Sequence, residues 1–206
     1  VLLLVVLAVL MIFPLYWIIT GSFKDARTIN SATPVWFPVN PTTDNYTRLF
    51  ERPAGIWMFN TVFMCVMSML LTCVAAAMGG YALAKKRFTG RVVLFSVFVC
   101  AMALPKQVIL IPLMKEMSDL GLIHSVWGSM FAVICPVVGW PFGVFMMKQF
   151  SENIPVSLLE AARIDGAGEL TTFINVAFPI IRPGFGALAI FTFINSWNEY
   201  PLQLVM

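Results

Sequence analysis

Few residues in this chain could do chemistry, and most of them lie in two places. In FINSWNEY, Asn195, Trp197, Asn198 and Glu199 set two amides, an indole and a carboxylate side by side. An indole face can stack on a sugar ring, while amides and a carboxylate exchange hydrogen bonds with its hydroxyls. In SLLEAARIDGAGE, Ser157–Glu169, four charges and two glycines gather within thirteen residues. Elsewhere the reactive types are isolated. His124 has no cysteine or carboxylate partner, and Cys65, Cys73, Cys100 and Cys135 all sit in apolar runs without metal-ligand spacing. No Gly-Lys dipeptide occurs, which excludes a G-x-x-x-x-G-K-[ST] phosphate loop, and neither H-E-x-x-H nor G-x-S-x-G is present. No catalytic residue, metal set or bound cofactor is expected.

The elements that position these residues belong in a bilayer. The 206 residues are 60% hydrophobic and 11% charged, against roughly 25% charged in soluble domains. Three uncharged runs, Val1–Phe23, Pro53–Ala84 and Val126–Met147, reach the roughly 20 residues that cross a membrane. Two more are shorter or interrupted: Val92–Leu104, before Pro105 and Lys106, and Pro183–Asn198, before Glu199. The expectation is an all-α polytopic bundle in one domain, with spans near 1–23, 56–84, 92–111, 126–147 and 183–204 and a loop at 148–182. The chain opens on Val1 and closes in an apolar stretch at Met206, so the sequence is expected to be a fragment. The net charge of +3, with no basic patch interleaved with aromatics, excludes nucleic acid as a partner. Membrane lipid is the expected surroundings.

KKRFTGR, Lys85–Arg91, is the densest basic cluster, and short basic loops stay in the cytoplasm. The first terminus is then inside, segments 24–52 and 106–125 outside, and segment 148–182 inside. PVWFPVNPTTDNY reads as an extended outer connection, with partner contact as the alternative. Leu113, Met117 and Leu120 form a stripe and Lys115 pairs with Asp119 in spacing, as in a helix lying on the outer interface. Lys106 with Gln107 either faces the pathway or snorkels to the outer surface, the second being the favoured reading. Ala75, Ala76, Gly79, Gly80 and Ala84 offer a close-packing helix face. CPVVGWPFG, Cys135–Gly143, predicts a mid-membrane kink that either packs or lines a pathway. Asn195 lies roughly 20 Å along a helix counted from Arg182, at a depth where polar groups face a bundle interior or cavity. The alternative makes Trp197 and Tyr200 interface anchors, with Glu199 in headgroup water.

In the loop, Ser157 and Glu160 fit the S-x-x-E capping box, predicting a helix over Val156–Ile164. Gly166 and Gly168 stop it, and a second helix is expected from Glu169 to Pro179. Leu158, Leu159 and Ala162 make an apolar face that either packs on the chain's own bundle or docks in another protein's groove.

EAARIDGAGELTTFINVAFP resembles the EAA loop of permease subunits in binding-protein-dependent ABC importers: E-A-A, three residues, Gly, nine residues, I-x-L-P. Glu160, Ala161, Ala162, Gly166 and Pro179 match, while Val176 and Phe178 replace Ile and Leu. FPLYWIITGSFK, NPTTDNY, YALAKKRFTGR, MKQFSENIP and FTFINSWNEYP extend the likeness, over nearly the whole chain, to the maltose and multiple-sugar class. The resemblance implies a type I importer-like transmembrane domain in a bacterial or archaeal plasma membrane, with a sixth span and cytoplasmic tail missing here. It implies a second permease, an ABC ATPase dimer that hydrolyses the ATP, an extracellular sugar-binding protein, and a sugar or oligosaccharide as cargo. The loop would be a coupling helix seated in an ATPase cleft, with Ser157 among its stiffening residues, and a bulky residue at 166 would uncouple transport. In such importers the partner permease can supply most substrate contacts. An ion-coupled transporter would need ionisable residues at mid-bilayer, and the three long uncharged runs have none. A purely structural membrane subunit would leave the polarity of Asn195–Glu199 unexplained.

Overall fold

The computed structural model describes all residues, Val1–Met206, and contains helices and no strands. Its helices are α1 (Leu2–Ser22), α2 (Ala26–Ile29), α3 (Asp44–Phe50), α4 (Ala54–Lys85), α5 (Arg91–Ala101), α6 (Lys106–Asp119), α7 (Val126–Val138), α8 (Pro141–Glu152), α9 (Val156–Ile164), α10 (Glu169–Thr172), α11 (Phe178–Trp197) and α12 (Tyr200–Val205). A 3₁₀ turn at Leu122–His124 precedes α7, and a π turn at Phe173–Ala177 joins α10 to α11. The chain divides into two compact units, Val1–Phe59 and Asn60–Met206.

Within the first unit, α1 is apolar on every side, as lipid requires of a helix that meets no water. The segment read as an extended connection folds back onto the end of that helix. Tyr16 donates to the Trp36 carbonyl at 2.7 Å, Trp17 meets Trp36 edge-on at 5.8 Å, and Asn45 donates to the carbonyls of Ser22 and Lys24 at 3.0 and 2.8 Å. Lys24 is buried, its ammonium 4.3 Å from the Trp17 ring and bonded to the Val35 carbonyl. Prolines set the bends, and aromatic stacking with carbonyl capture supplies the cohesion.

In the second unit, the buried seam of α4 runs from Cys65 and Ser68 through Thr72, Cys73, Ala76, Ala77 and Gly80 to Tyr81 and Leu83. A Cβ on Gly80 would lie 2.6 Å from the Lys148 backbone, so glycine there lets α4 and α8 touch main chain to main chain. Thr72 donates to the Val137 carbonyl at 3.1 Å, one of the acceptors near the kink. Gly79 meets nothing within 4 Å and Ala75 is exposed, so the small-residue face is narrower than the sequence spacing suggests. α8 packs against both α5 and α11.

Two of the expected spans are broken. α5 and α6 meet at 101°, and α7 and α8 at 43°. α5 alone covers 11 residues, about 16 Å of rise, half of the about 30 Å of hydrocarbon. The break follows from Pro105, which forces the preceding residue out of helical geometry. The second bend lies between Pro136 and Pro141, where missing N–H groups leave the helix ladder incomplete. Conversely, the helix expected to end at Pro179 does not. α10, the π turn and α11 run as one rod of 29 residues to Trp197. Proline at 179 cannot bond the carbonyl of Asn175. The turn before it widens instead, with the Phe178 N–H reaching the Phe173 carbonyl five residues back.

Candidate functional site

The loop site is built on α9. Pro155, held extended at φ −61° and ψ 129°, is the N-cap, and the helix begins at Val156. Ser157 is therefore the second helical residue and makes no capping bond, which corrects the capping-box reading. The helix bounds are those expected, Val156–Ile164, and the proline ring, with its fixed φ, takes the N-cap place that the S-x-x-E spacing gave to Ser157. The far end follows expectation more closely. Gly166 has φ +78°, its N–H bonds the Arg163 carbonyl at 3.0 Å, and the Ala167 N–H bonds the Ala162 carbonyl at 2.9 Å. This is the Schellman pair of bonds, closed by a residue in the left-handed region. A Cβ at 166 would meet nothing within 4 Å. Backbone sign, rather than lack of room, is what demands glycine there.

The expected apolar face splits in two. Leu159 and Ala162 are buried against the bundle, whereas Leu158 points outward with Glu160 and Ala161. Ile164, 87% exposed, and Leu170 extend this outward surface, and neither was singled out by sequence spacing. Glu160 has no ion pair within the chain, and Pro179 is exposed on the rod beyond the π turn.

Basic residues read only as a topology signal hold this loop in place. Lys85 donates to the carbonyls of Glu152 and Ile154 at 3.0 and 2.7 Å, satisfying acceptors at the end of α8. Lys86 pairs with Glu169, which also takes Arg163 at 3.5 Å. The Lys86 hydrogen bond holds the Glu169 carboxyl below the usual carboxylate range. A rod of 29 residues is about 43 Å long, longer than the about 30 Å of hydrocarbon, and Glu169 is the charged residue at its start. The signal for these contacts was in the sequence as paired charges, but they lie 67 to 83 residues apart.

The second site is a cavity of about 450 Å³ beside the α5–α6 elbow, the α7–α8 bend and the end of α11. Lys106 donates to Asn195 Oδ1 and to Glu199 Oε2, each at 3.0 Å, and its ammonium stands 5.9 Å from the Trp140 ring. Asn195 and Glu199 line this space. Trp197 does not, stacking on Phe193 at 5.9 Å, and Asn198 caps α11 by donating to the Ile194 carbonyl at 2.8 Å. Lys106 thus joins the polar cluster of Asn195 and Glu199 while its side chain stays about half exposed. The bend at CPVVGWPFG lines the cavity through Pro136, Gly139 and Trp140.

Apolar helices, interrupted spans around a mostly apolar cavity that holds one polar cluster, and a stiff helix with an exposed apolar face are the features of a membrane transport domain. The family model of the binding-protein-dependent transport system inner membrane component matches residues 74–206. The chain is 30% identical over 205 residues to the diacetylchitobiose uptake system permease protein NgcG of Streptomyces coelicolor, covering 99% of this chain and 67% of that one. It is 32% identical over 205 residues to the arabinooligosaccharides transport system permease protein AraQ of Bacillus subtilis, covering 97% and 71%. A solved bacterial ABC transporter involved in the import of the acidic polysaccharide alginate superposes with a TM-score of 0.80 at 27% identity, over 96% of this chain and 69% of that chain. The chain therefore belongs to the binding-protein-dependent transport system inner membrane components: it is a membrane-embedded permease subunit of an ABC importer, and not itself an enzyme.

Proposed function

We propose that this permease imports a sugar or oligosaccharide across a bacterial or archaeal plasma membrane, and that α9 is the helix through which a separate ATPase drives it. The names of the relatives support the cargo class, since NgcG and AraQ are named for saccharide uptake. The partners are a second permease, an ATP-binding cassette dimer that hydrolyses the ATP, and an extracellular sugar-binding protein. The chain crosses the bilayer five times, with the α9 end in the cytoplasm. Closure of the ATPase dimer pushes on α9, and the helices behind it rock between outward and inward openings.

The observation that carries this reading is the outward surface of α9. Leu158 and Ile164 stand exposed on a helix whose other face is buried and whose end is locked at Gly166. Exposed apolar side chains on a rigid element suit insertion into a partner's groove. Reconstituted with its partners, the Glu160→Ala and Gly166→Val variants reach the membrane at normal levels but take up no sugar. Normal uptake by both would overturn the coupling assignment.

A further inference from the structure

Three breaks in helical structure meet at the cavity: residues 102–105 between α5 and α6, Gly139–Trp140 between α7 and α8, and Asn198–Glu199 between α11 and α12. Backbone released from helical pairing is stable at membrane depth only where protein buries it or a water-filled space solvates it. The cavity's volume of about 450 Å³ falls within the roughly 300–1,000 Å³ of small-molecule sites.

The cavity is lined mostly by apolar residues, and the one polar cluster on its wall, Lys106, Asn195 and Glu199, favours one kind of occupant. Lys106 and Glu199 neutralise each other at 3.0 Å, so no net charge remains to select an ion or an acidic group. The Lys106 ammonium has three donors and uses two here, and the carboxylate and amide oxygens can each accept more than one bond. Trp140 adds a flat apolar surface near the same ammonium. A neutral sugar ring is the complement of this set, with C–H groups for an indole face and a rim of hydroxyls that both donate and accept.

We propose that this subunit contacts the cargo directly, seating an uncharged sugar ring against Trp140 with its hydroxyls on Lys106, Asn195 and Glu199. The proposal rests on the sugar-permease reading and goes beyond it, because the partner permease need not supply the substrate contacts alone. The tryptophan involved is Trp140, not Trp197.

The complete transporter with its binding protein, in lipid vesicles supplied with ATP, provides the test. The probes are radiolabelled glucose, diacetylchitobiose and arabinobiose, with alginate trisaccharide as the acidic comparator. Wild-type vesicles take up at least one neutral probe. Lys106→Met lowers that uptake about tenfold or more, the loss expected of one hydrogen bond to a charged group, and Trp140→Ala lowers it about threefold or more, the loss expected of a ring-stacking contact. Trp140→Phe, which keeps a ring, retains most of the uptake, and Lys115→Met, an exposed lysine away from the cavity, matches wild type. ATP hydrolysis stimulated by loaded binding protein continues in the Trp140→Ala transporter.

Normal uptake in both Trp140→Ala and Lys106→Met overturns the proposal. So does equal loss in Trp140→Ala and Trp140→Phe, or ATP hydrolysis that falls in step with uptake. Wild-type vesicles that carry only alginate trisaccharide, or none of the neutral probes, overturn the uncharged-ring assignment. Failure of the coupling reading looks different: Glu160→Ala and Gly166→Val vesicles would then transport normally whatever the cavity variants do.

Discussion

Reversing the charge of Lys86 should shift α9 without unfolding the bundle. The Lys86 and Glu169 side chains are 27% and 64% exposed, and an exposed ion pair contributes about 0.2–1 kcal/mol. That is small against the roughly 5–15 kcal/mol that holds a domain folded, so Lys86→Glu protein should accumulate normally. Position responds more than stability does. Two carboxylates would face each other, with Arg163 left as the one cation beside Glu169, and the α9–α10 corner would be pushed from the α4 end. The assay is the ratio of sugar uptake to stimulated ATP hydrolysis in vesicles. Lys86→Glu should lower the ratio several-fold, and Lys86→Glu/Glu169→Lys should recover most of it. About 1 M salt, where the screening length is about 3 Å, should move wild type towards the single variant. If the swapped pair is no better than the single change, the brace does not position the loop.

Lys85→Met should be more damaging to accumulation than Lys86→Met, because it strands the carbonyls of Glu152 and Ile154; an unsatisfied partly buried acceptor costs about 1–3 kcal/mol, which membrane protein levels after mild heating would read. At Gly166, alanine should uncouple nearly as strongly as valine and asparagine much less. The φ of +78° penalises any ordinary side chain and space is open, so uptake that falls in proportion to side-chain volume would contradict this. Gly80→Leu should fail to accumulate, since even its Cβ would lie 2.6 Å from the Lys148 backbone, and immunoblots of membranes would show it.

Much of this was legible in the sequence because lipid simplifies the code. Long uncharged runs can be little but helices, and Gly166 lies where a helix must turn. What the sequence withheld were contacts between distant segments. Lys85 and Lys86 were visible as charge, but their acceptors arrive from residues 152, 154 and 169. Lys106 was open to either a pathway or a snorkelling role, and its acceptors Asn195 and Glu199 arrive from 89 and 93 residues away. Pro179 looked like a stop, yet a wide turn carries the helix past it. The helix runs over Val156–Ile164 as the sequence suggested, but Pro155 rather than Ser157 is its N-cap, so the capping box does not form.

The two sites share their scaffold. α8 starts beside Trp140 at the cavity and ends where Lys85 grips the Glu152 carbonyl, and the α10–α11 rod starts at Glu169 and ends beside Glu199. A push at the loop can reach the cavity wall only if these two helices move together, and their contact is tight enough for that. A Cβ on Gly184 would lie 2.4 Å from the Phe150 ring, and one on Gly143 would lie 3.3 Å from Ala76 and 3.5 Å from Leu188. Close-packed interfaces pass strain on rather than absorbing it. Gly184→Ala should therefore separate α8 from the rod and reduce uptake while ATP hydrolysis continues. Adding Phe150→Leu removes the opposing ring and should restore coupling, even though Phe150 does not line the cavity. Should the double variant transport no better than Gly184→Ala alone, the two helices do not act as one lever, and the link between loop and cavity must run through other contacts.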